Sequence, residues 1–322
     1  MSDSRRTRDG GVRKLPWILE SPSALMLLAL AAGLLVGRTF PGMDLAAMAA
    51  LAALMTFSLA EVPLRGFGGN LRYVPFAFAL SFGLLPALLF GAALLTSPLL
   101  WEGWAILIAV PPAVSIIPFT AILRGSVRAS VASNALIYLV ALAVTPLLAL
   151  LLLGVAVSPA QLVLTVLVLI LLPLVLSRLV RGAALSGTKV RVLRNLSFAP
   201  LTFLIGAANR QVLLESPVLA LEALIASALI VALGAGVVWV LFQRLRTDLR
   251  ISLVLFSSYK NAGLAATIAL ALLAPTAVVA PTMMIVFQIF WIPVLGRLLS
   301  THARAPAPGP REREGGRKPG SR

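Results

Sequence analysis

Residues 257–265 read SSYKNAGLA and lie inside an otherwise apolar run, 251–273. The run is long enough to cross a bilayer as a helix, yet it places a lysine, an asparagine and a glycine near its middle. An ionisable side chain at that depth is costly, and it marks a functional site by default. The role of this lysine, Lys260, depends on what surrounds it.

The composition of the whole chain is that of a membrane protein. Its 322 residues are 60% hydrophobic and 12% charged, whereas soluble domains average about 45–50% apolar and about 25% charged. We therefore predict an all-α polytopic membrane protein with ten transmembrane helices. The candidate spans, of which the seventh is the shortest, are 22–40, 44–62, 74–96, 102–123, 129–155, 160–178, 195–209, 217–243, 251–273 and 278–297.

The basic residues are distributed unevenly between the connections. With ten spans, 24 of the 27 lysine and arginine residues fall on the side that holds both termini. Arg38 and Arg210 fall on the other side, and Lys260 lies within a span. Since basic residues mark the cytoplasmic side, both termini are predicted to be cytoplasmic in a plasma (inner) membrane protein. The net charge of +16 thus encodes orientation, and nucleic-acid binding is not needed to explain it.

The ten spans divide the chain into four parts. Residues 1–19 form a basic cytoplasmic N-terminus, 20–158 a first five-helix repeat, 159–300 a second repeat, and 301–322 a disordered basic tail rich in proline and glycine. Five spans end on the opposite side of the membrane from where they begin. The second repeat is therefore predicted to be inverted relative to the first.

Two spans at matching places in the repeats are interrupted. The fourth span contains PPAVSIIP at 111–118, and the ninth, which is the fourth of its repeat, contains SSYKNAG at 257–263. Interrupted segments at corresponding positions indicate the binding site of an inverted-repeat transporter. Lys260 follows Arg250 by ten residues, which is about 15 Å along a helix and near the middle of a ~30 Å hydrocarbon core. The broken helices are predicted to cross at the midplane.

The interruptions supply the first candidate binding residues. Prolines remove backbone donors and free carbonyl groups, and Gly263 is expected to loosen the ninth helix. Lysine is a compact charge that can release a proton, whereas arginine stays charged. Because the chain has 23 arginines and only four lysines, a lysine here favours a positional charge or a titrating group. The candidates for substrate or ion binding are Pro112, Ser115, Ser258, Lys260, Asn261 and Gly263.

Three motifs resemble the bile acid:sodium symporter family over residues 20–300. They are KNAGLA at 260–265, LRGSVRASVA at 123–132 and MTFSL at 55–59. The resemblance implies a core bundle of spans 3–5 and 8–10 that moves against a panel of spans 1, 2, 6 and 7. It also implies two sodium sites behind the crossing.

The chain departs from the family at those sodium sites. Ser130 and Asn261 are kept, and Asn134 stands where a threonine is usual, so Ser130 and Asn134 join the candidate residues. Other ligand positions differ: Phe256 aligns with a glutamate, Lys260 and Ser81 with glutamines, and Ile116-Ile117 with a Ser-Asn pair. The resemblance therefore suggests that Lys260 takes the place of a sodium ion. We expect it to contact carbonyls of 111–117, with Ser130 and Asn134 as further acceptors.

These features predict a secondary transporter that moves a small organic anion by alternating access without sodium. Protons are a candidate coupling ion through Lys260. One alternative is a sodium-coupled symporter that uses Ser130, Asn134 and Asn261. An alternative from another class is an intramembrane enzyme using Glu222 and Lys260, although Glu222 lies only about five residues into its span and is expected near the outer face.

Other classes of function are not favoured. The chain has no cysteine and one histidine, His302, so disulfides and zinc or haem sites are not expected. It has no glycine-rich phosphate loop, no Ser/His/Asp set and no paired carboxylates. No cofactor, metal or enzymatic activity is predicted, and the expected partners are the organic anion and the lipid bilayer.

Overall fold

The computed structural model describes residues 22–60, 68–154, 157–183 and 187–303. The described residues are 87% helical, and none of them forms a β-strand. The predicted basic N-terminus, 1–19, lies outside the described residues, as do Arg65 and residues 304–322 of the predicted tail.

Twelve helices are named here in chain order. The first six are α1 (Pro22–Val36), α2 (Met43–Ala60), α3 (Leu71–Leu95), α4 (Trp101–Ala109), α5 (Ile116–Ile122) and α6 (Val127–Leu153). The other six are α7 (Pro159–Gly182), α8 (Gly187–Glu215), α9 (Pro217–Leu241), α10 (Thr247–Phe256), α11 (Ala262–Leu272) and α12 (Val279–Ala303). A π-helical turn interrupts α3 at Leu80–Leu84, and another interrupts α7 at Leu167–Leu171.

The outer surface of the helices is apolar, as a membrane protein requires. Six described helical stretches are long and apolar enough to cross a membrane: Met43–Ala60, Leu71–Leu95, Val127–Leu153, Pro159–Gly182, Pro217–Leu241 and Pro275–Leu299. On α9, exposed apolar side chains recur every four residues and so form one stripe along the helix: Leu221, Ile225, Leu229, Leu233 and Val237. Such a stripe suits contact with lipid chains, and the chain is a membrane-embedded helical protein.

The helices pack in two groups. In the first group, α8 packs on α1 and α2, and α7 packs on α2. In the second, α6 packs on α3, α4 and α5, while α9 packs on α10 and α12. Helix α11 packs on α12 and also on α2, so it connects the two groups.

Small residues allow α1 and α8 to approach closely. A Cβ atom added to Gly206 on α8 would lie 2.6 Å from the carbonyl oxygen of Leu30, and one added to Gly33 on α1 would meet the carbonyl oxygen of Phe203. Helices in membranes associate through such small-residue contacts because burial away from water supplies no force between them. The contact fixes α1 against α8.

Two helix boundaries differ from the sequence prediction. Helix α8 extends over Gly187–Glu215, well beyond the predicted 195–209. The prediction followed the apolar residues, whereas the helix continues through the polar residues at both ends. The ninth-span break lies at 257–261, and Gly263 is the second residue of α11. The break is made by Asn261 and the residues before it, and Gly263 lies within the first turn of α11.

A candidate functional site at the crossing of two broken helices

The break between α4 and α5 and the break between α10 and α11 have local causes. Helix α4 ends at Ala109, two residues before Pro111-Pro112, which have no backbone N–H to continue it. Helix α10 ends at Phe256, and α11 begins after Asn261, whose Oδ1 accepts a hydrogen bond from the Leu264 N–H at 3.0 Å. An asparagine in this position satisfies one of the free donors of a helix N-terminus.

The two extended segments pair with each other in antiparallel fashion. Pro112 and Lys260 face each other in an isolated bridge. The Ala113 N–H donates to the Tyr259 carbonyl at 3.1 Å, and the Asn261 N–H donates to the Pro111 carbonyl at 2.9 Å. Irregular backbone persists within a membrane only where protein or a cavity satisfies it, and here each break satisfies the other.

Lys260 occupies the centre of the crossing and is 1% exposed. Its Nζ donates to the carbonyl oxygens of Ile108, at 3.1 Å, and Val110, at 2.8 Å. In a continuous helix the Ile108 carbonyl would accept from the N–H of residue 112, but that residue is a proline. Lys260 therefore supplies the donor that Pro112 removes.

Within the described residues, Lys260 Nζ contacts two carbonyl acceptors and one aromatic ring. The third neighbour of Nζ is the face of the Phe82 ring, whose centroid lies 4.8 Å away. The last carbonyls of α4 carry the partial negative charge of a helix C-terminus. The described carboxylates are engaged elsewhere or make no contact with Lys260: Asp44, Glu102, Glu215, Glu222 and Asp248. A positive charge at this position would be stabilised by carbonyl dipoles and by the face of an aromatic ring.

Tyr138 on α6 joins the two broken helices from the side. Its hydroxyl donates to the Pro112 carbonyl at 2.9 Å and accepts from Asn261 Nδ2 at 2.9 Å. Tyr138 is 1% exposed. Tyr138 was not among the predicted site residues, although the chain has only three tyrosines and this one lies inside an apolar span.

A second buried contact links the crossing to α12. The Tyr259 hydroxyl donates to the Gln288 carbonyl at 3.1 Å, and Gln288 Nε2 donates to the Ser258 carbonyl at 3.4 Å. The Ser258 hydroxyl itself returns to the Val254 carbonyl of its own helix at 2.7 Å. The backbone carbonyl of Ser258 therefore takes part in the crossing, while its hydroxyl bonds only to the last turn of α10.

The remaining candidate residues lie apart from the Lys260 ammonium. Ser115 is half-buried at the start of α5, and its side chain does not cap that helix. Ser130 shares a 2.8 Å hydrogen bond with Thr120 and so joins α6 to α5. Asn134 is 1% exposed, and neither polar atom of its side chain has a partner among the described residues. The predicted contacts of Lys260 with Ser130 and Asn134 are absent from the described hydrogen bonds, because Ile108 and Val110 take those places.

Three of the positions that resemble sodium-ligand positions, Phe256, Ile116 and Ile117, carry apolar side chains. Phe256 and Ile116 are buried, and the Ser81 hydroxyl donates to the Phe256 carbonyl at 3.2 Å. Within the described residues, no group of three or more His, Cys, Asp or Glu side chains could hold a metal ion. The side chains at these positions therefore offer a cation few oxygen ligands.

Fold and site together define a membrane-embedded helical protein in which two broken helices cross and are joined by a buried lysine. No family model matches the chain, and no curated protein matches it either.

Proposed function

We propose that the chain is a secondary transporter of the bile acid:sodium symporter type that moves a small organic anion by alternating access and does not use sodium. One observation supports this most directly: the Lys260 ammonium bonds the Ile108 and Val110 carbonyls where the broken helices cross. Broken helices that meet in this way form the substrate and ion sites of inverted-repeat transporters.

The helix order supports a ten-span arrangement. If α4 with α5 and α10 with α11 each form one broken span, the twelve helices make ten spans. The first repeat is then α1 to α6, and the second is α7 to α12. The two packing groups correspond to a panel, of α1, α2, α7 and α8, and a core, of the other helices. If the protein lies in the plasma membrane with both termini in the cytoplasm, the basic connections lie on the cytoplasmic side.

The proposal that sodium is not used follows from the chemistry around Lys260. A sodium ion needs several oxygen ligands, and the carbonyls of Ile108 and Val110 are already bonded to an ammonium. A second cation beside this charge would be repelled. Phe256 and Ile116 supply no side-chain oxygen to compensate.

The same geometry favours a fixed charge over a proton carrier. An ammonium has three donors and no acceptor, and Nζ has two carbonyl oxygens and a ring face around it. A neutral amine could donate to both carbonyls only with its lone pair turned toward the electron-rich face of Phe82, which is unfavourable. We therefore propose uniport or exchange, and keep proton coupling as an outcome of the test below.

The charge at the crossing supports an anion as substrate. Lys260 is positive, and no described carboxylate contacts it. An anion that approaches the crossing would be attracted through a medium of low polarity, where charge interactions are strong. A cationic substrate would be opposed by the same field.

The sodium-coupled alternative is favoured by one observation. Asn134 is buried with both its side-chain polar atoms unpartnered among the described residues, and an unpaired amide oxygen is a ligand that a cation could use. The enzyme alternative has less support, because the Glu222 carboxylate accepts from the Ser97 N–H at 3.0 Å and makes no described contact with Lys260.

Uptake by the purified protein in liposomes tests the proposal. A panel of small organic anions is offered with sodium or potassium outside, and Lys260→Met is compared with Lys189→Met, which removes an exposed lysine. We expect uptake of at least one anion at equal rates in both salts, lost in Lys260→Met and kept in Lys189→Met. If a pH gradient drives accumulation of the anion in the wild type but not in Lys260→Arg, Lys260 couples transport to protons and is not a fixed charge.

A further inference from the structure

A second polar site lies at one end of the helices, apart from the crossing. A cavity of about 300 Å³ opens where the chain enters α3, α6 and α10. Its lining comes from three segments that are distant in sequence: Arg72 and Tyr73, Ser126 and Arg128, and Arg246, Asp248 and Leu249. In the proposed topology this end faces the cytoplasm.

The cavity adjoins a small apolar cluster. Two of its lining residues, Tyr73 and Leu249, are buried in a cluster with Ala129. The Ser126 N–H donates to the Asp248 carbonyl at 2.9 Å and lies 2.9 Å from the Ser252 hydroxyl, which ties the start of α6 to the start of α10. The walls are thus held in place by backbone contacts rather than by the arginines themselves.

The charge of the lining is unbalanced. The lining holds three arginines, Arg72, Arg128 and Arg246, and one carboxylate, that of Asp248, which gives it a net charge of +2. Arg246 bonds Asp248 at 3.1 Å, and Arg72 lies 4.8 Å from the centre of the Tyr73 ring. No described carboxylate pairs with Arg128.

The arginines are also placed where helix dipoles oppose them. Arg128 lies in the first turn of α6, and Arg246 directly precedes α10. The N-terminus of a helix carries partial positive charge, so cations there are destabilising and anions are stabilising. The positive-inside rule explains why basic residues lie on this face. It does not require that basic residues from three separate segments line the same cavity.

We propose that this cavity binds a phosphate-type oxyanion. Arginine forks match the oxygens of phosphate in geometry and charge, and Ser126 adds a hydroxyl. Two sources supply such a group: the headgroup of an anionic phospholipid, which basic pockets at the cytoplasmic ends of membrane helices recognise, and free phosphate in solution. Because the cavity spans α3, α6 and α10, the bound anion clamps the first of the proposed repeats to the second.

Ligand-dependent thermal unfolding of the purified full-length protein tests the site without any transport assay. One arm adds inorganic phosphate and compares it with chloride at equal ionic strength. The other adds phosphatidylglycerol and compares it with phosphatidylcholine. We expect phosphatidylglycerol to raise the unfolding midpoint saturably. If phosphate also raises it, the site takes free oxyanions as well as headgroups, and if phosphate alone does so, free phosphate is the ligand.

Single substitutions locate the effect. Arg128→Gln and Arg246→Gln should each raise the half-saturating concentration about tenfold, the loss of one charged hydrogen bond. Arg244→Gln is the matched control, since it removes the same charge two residues from Arg246 and outside the cavity. Asp248→Asn should tighten binding, because it removes the only carboxylate of the lining and releases Arg246. The proposal is overturned if neither ligand stabilises the wild type, or if Arg244→Gln weakens binding as much as Arg246→Gln.

Discussion

The Nζ atom of Lys260 lies 2.8 Å from the carbonyl oxygen of Val110, so a side chain from one broken helix closes the C-terminal end of the other. The contact is made across 150 residues of sequence. Together with the backbone pairing of Pro112 and Lys260, it joins the proposed repeats at one point. Removing the ammonium should therefore affect stability as well as transport.

Lys260→Met keeps an unbranched side chain, one atom shorter, but removes its three donors. The Ile108 and Val110 carbonyls would then be buried without a partner from Lys260, at a cost of about 1–3 kcal/mol each. We expect a lower midpoint of thermal unfolding in detergent, offset in part because a charge no longer has to be buried. Arg244→Met, at an exposed position, should leave the midpoint unchanged, and an equal midpoint for both variants would contradict the structural role of Lys260.

Tyr138→Phe deletes the hydroxyl that bonds the Pro112 carbonyl and Asn261 Nδ2. The loss should destabilise the protein by about 1–3 kcal/mol, because two buried polar groups lose a partner. The comparison variant is Tyr73→Phe, whose hydroxyl makes no hydrogen bond within the described residues. Unfolding midpoints measured side by side should fall for Tyr138→Phe only. If they fall equally, the bridge does not stabilise the crossing.

Gly206→Ala tests the contact between α1 and α8. The added methyl group would lie 2.6 Å from the Leu30 carbonyl, and overpacking of this kind costs about 1–3 kcal/mol. Gly236→Ala on α9 has no atom within 4 Å of the added group and should be neutral or stabilising by up to about 1 kcal/mol. Thermal unfolding distinguishes the two variants, and similar midpoints would show that α1 and α8 do not pack in this way.

The proposed orientation can be tested with single cysteines, because the natural chain has none. Ala183→Cys and Gln243→Cys lie at exposed positions on the proposed cytoplasmic side, and Leu99→Cys lies on the opposite side. A thiol reagent that cannot cross membranes should label only Leu99→Cys in intact cells and all three after lysis. Labelling of Gln243→Cys in intact cells would require a different topology.

The sequence located the crossing well, because its causes are local. Two consecutive prolines end a helix wherever they occur, and a lysine in the middle of an apolar run needs partners inside the protein. The sequence predicted that Lys260 contacts carbonyls of residues 111–117, which lie a few residues further along the chain than the observed acceptors. A proline deprives the carbonyl four residues before it of its helical donor, so Pro112 indicates Ile108.

Other features of the site depend on tertiary contacts. Tyr138 lies in an apolar helix without any local signal of its role, and only the packing of α6 brings its hydroxyl between Pro112 and Asn261. Gly263 lies in the first turn of α11, where glycine is tolerated and breaks nothing. The cavity lined by Arg72, Arg128 and Arg246 could not be predicted either, since three distant segments form it.

The most direct test of the central claim, that Lys260 stands in place of a sodium ion, requires no substrate. The unfolding midpoint of the purified wild-type protein is measured in sodium chloride and in potassium chloride at equal ionic strength. A sodium site occupied at 100 times its Kd would add about 2.7 kcal/mol to stability, which a thermal shift readily detects. We predict identical midpoints in the two salts. A higher midpoint in sodium alone would contradict the account.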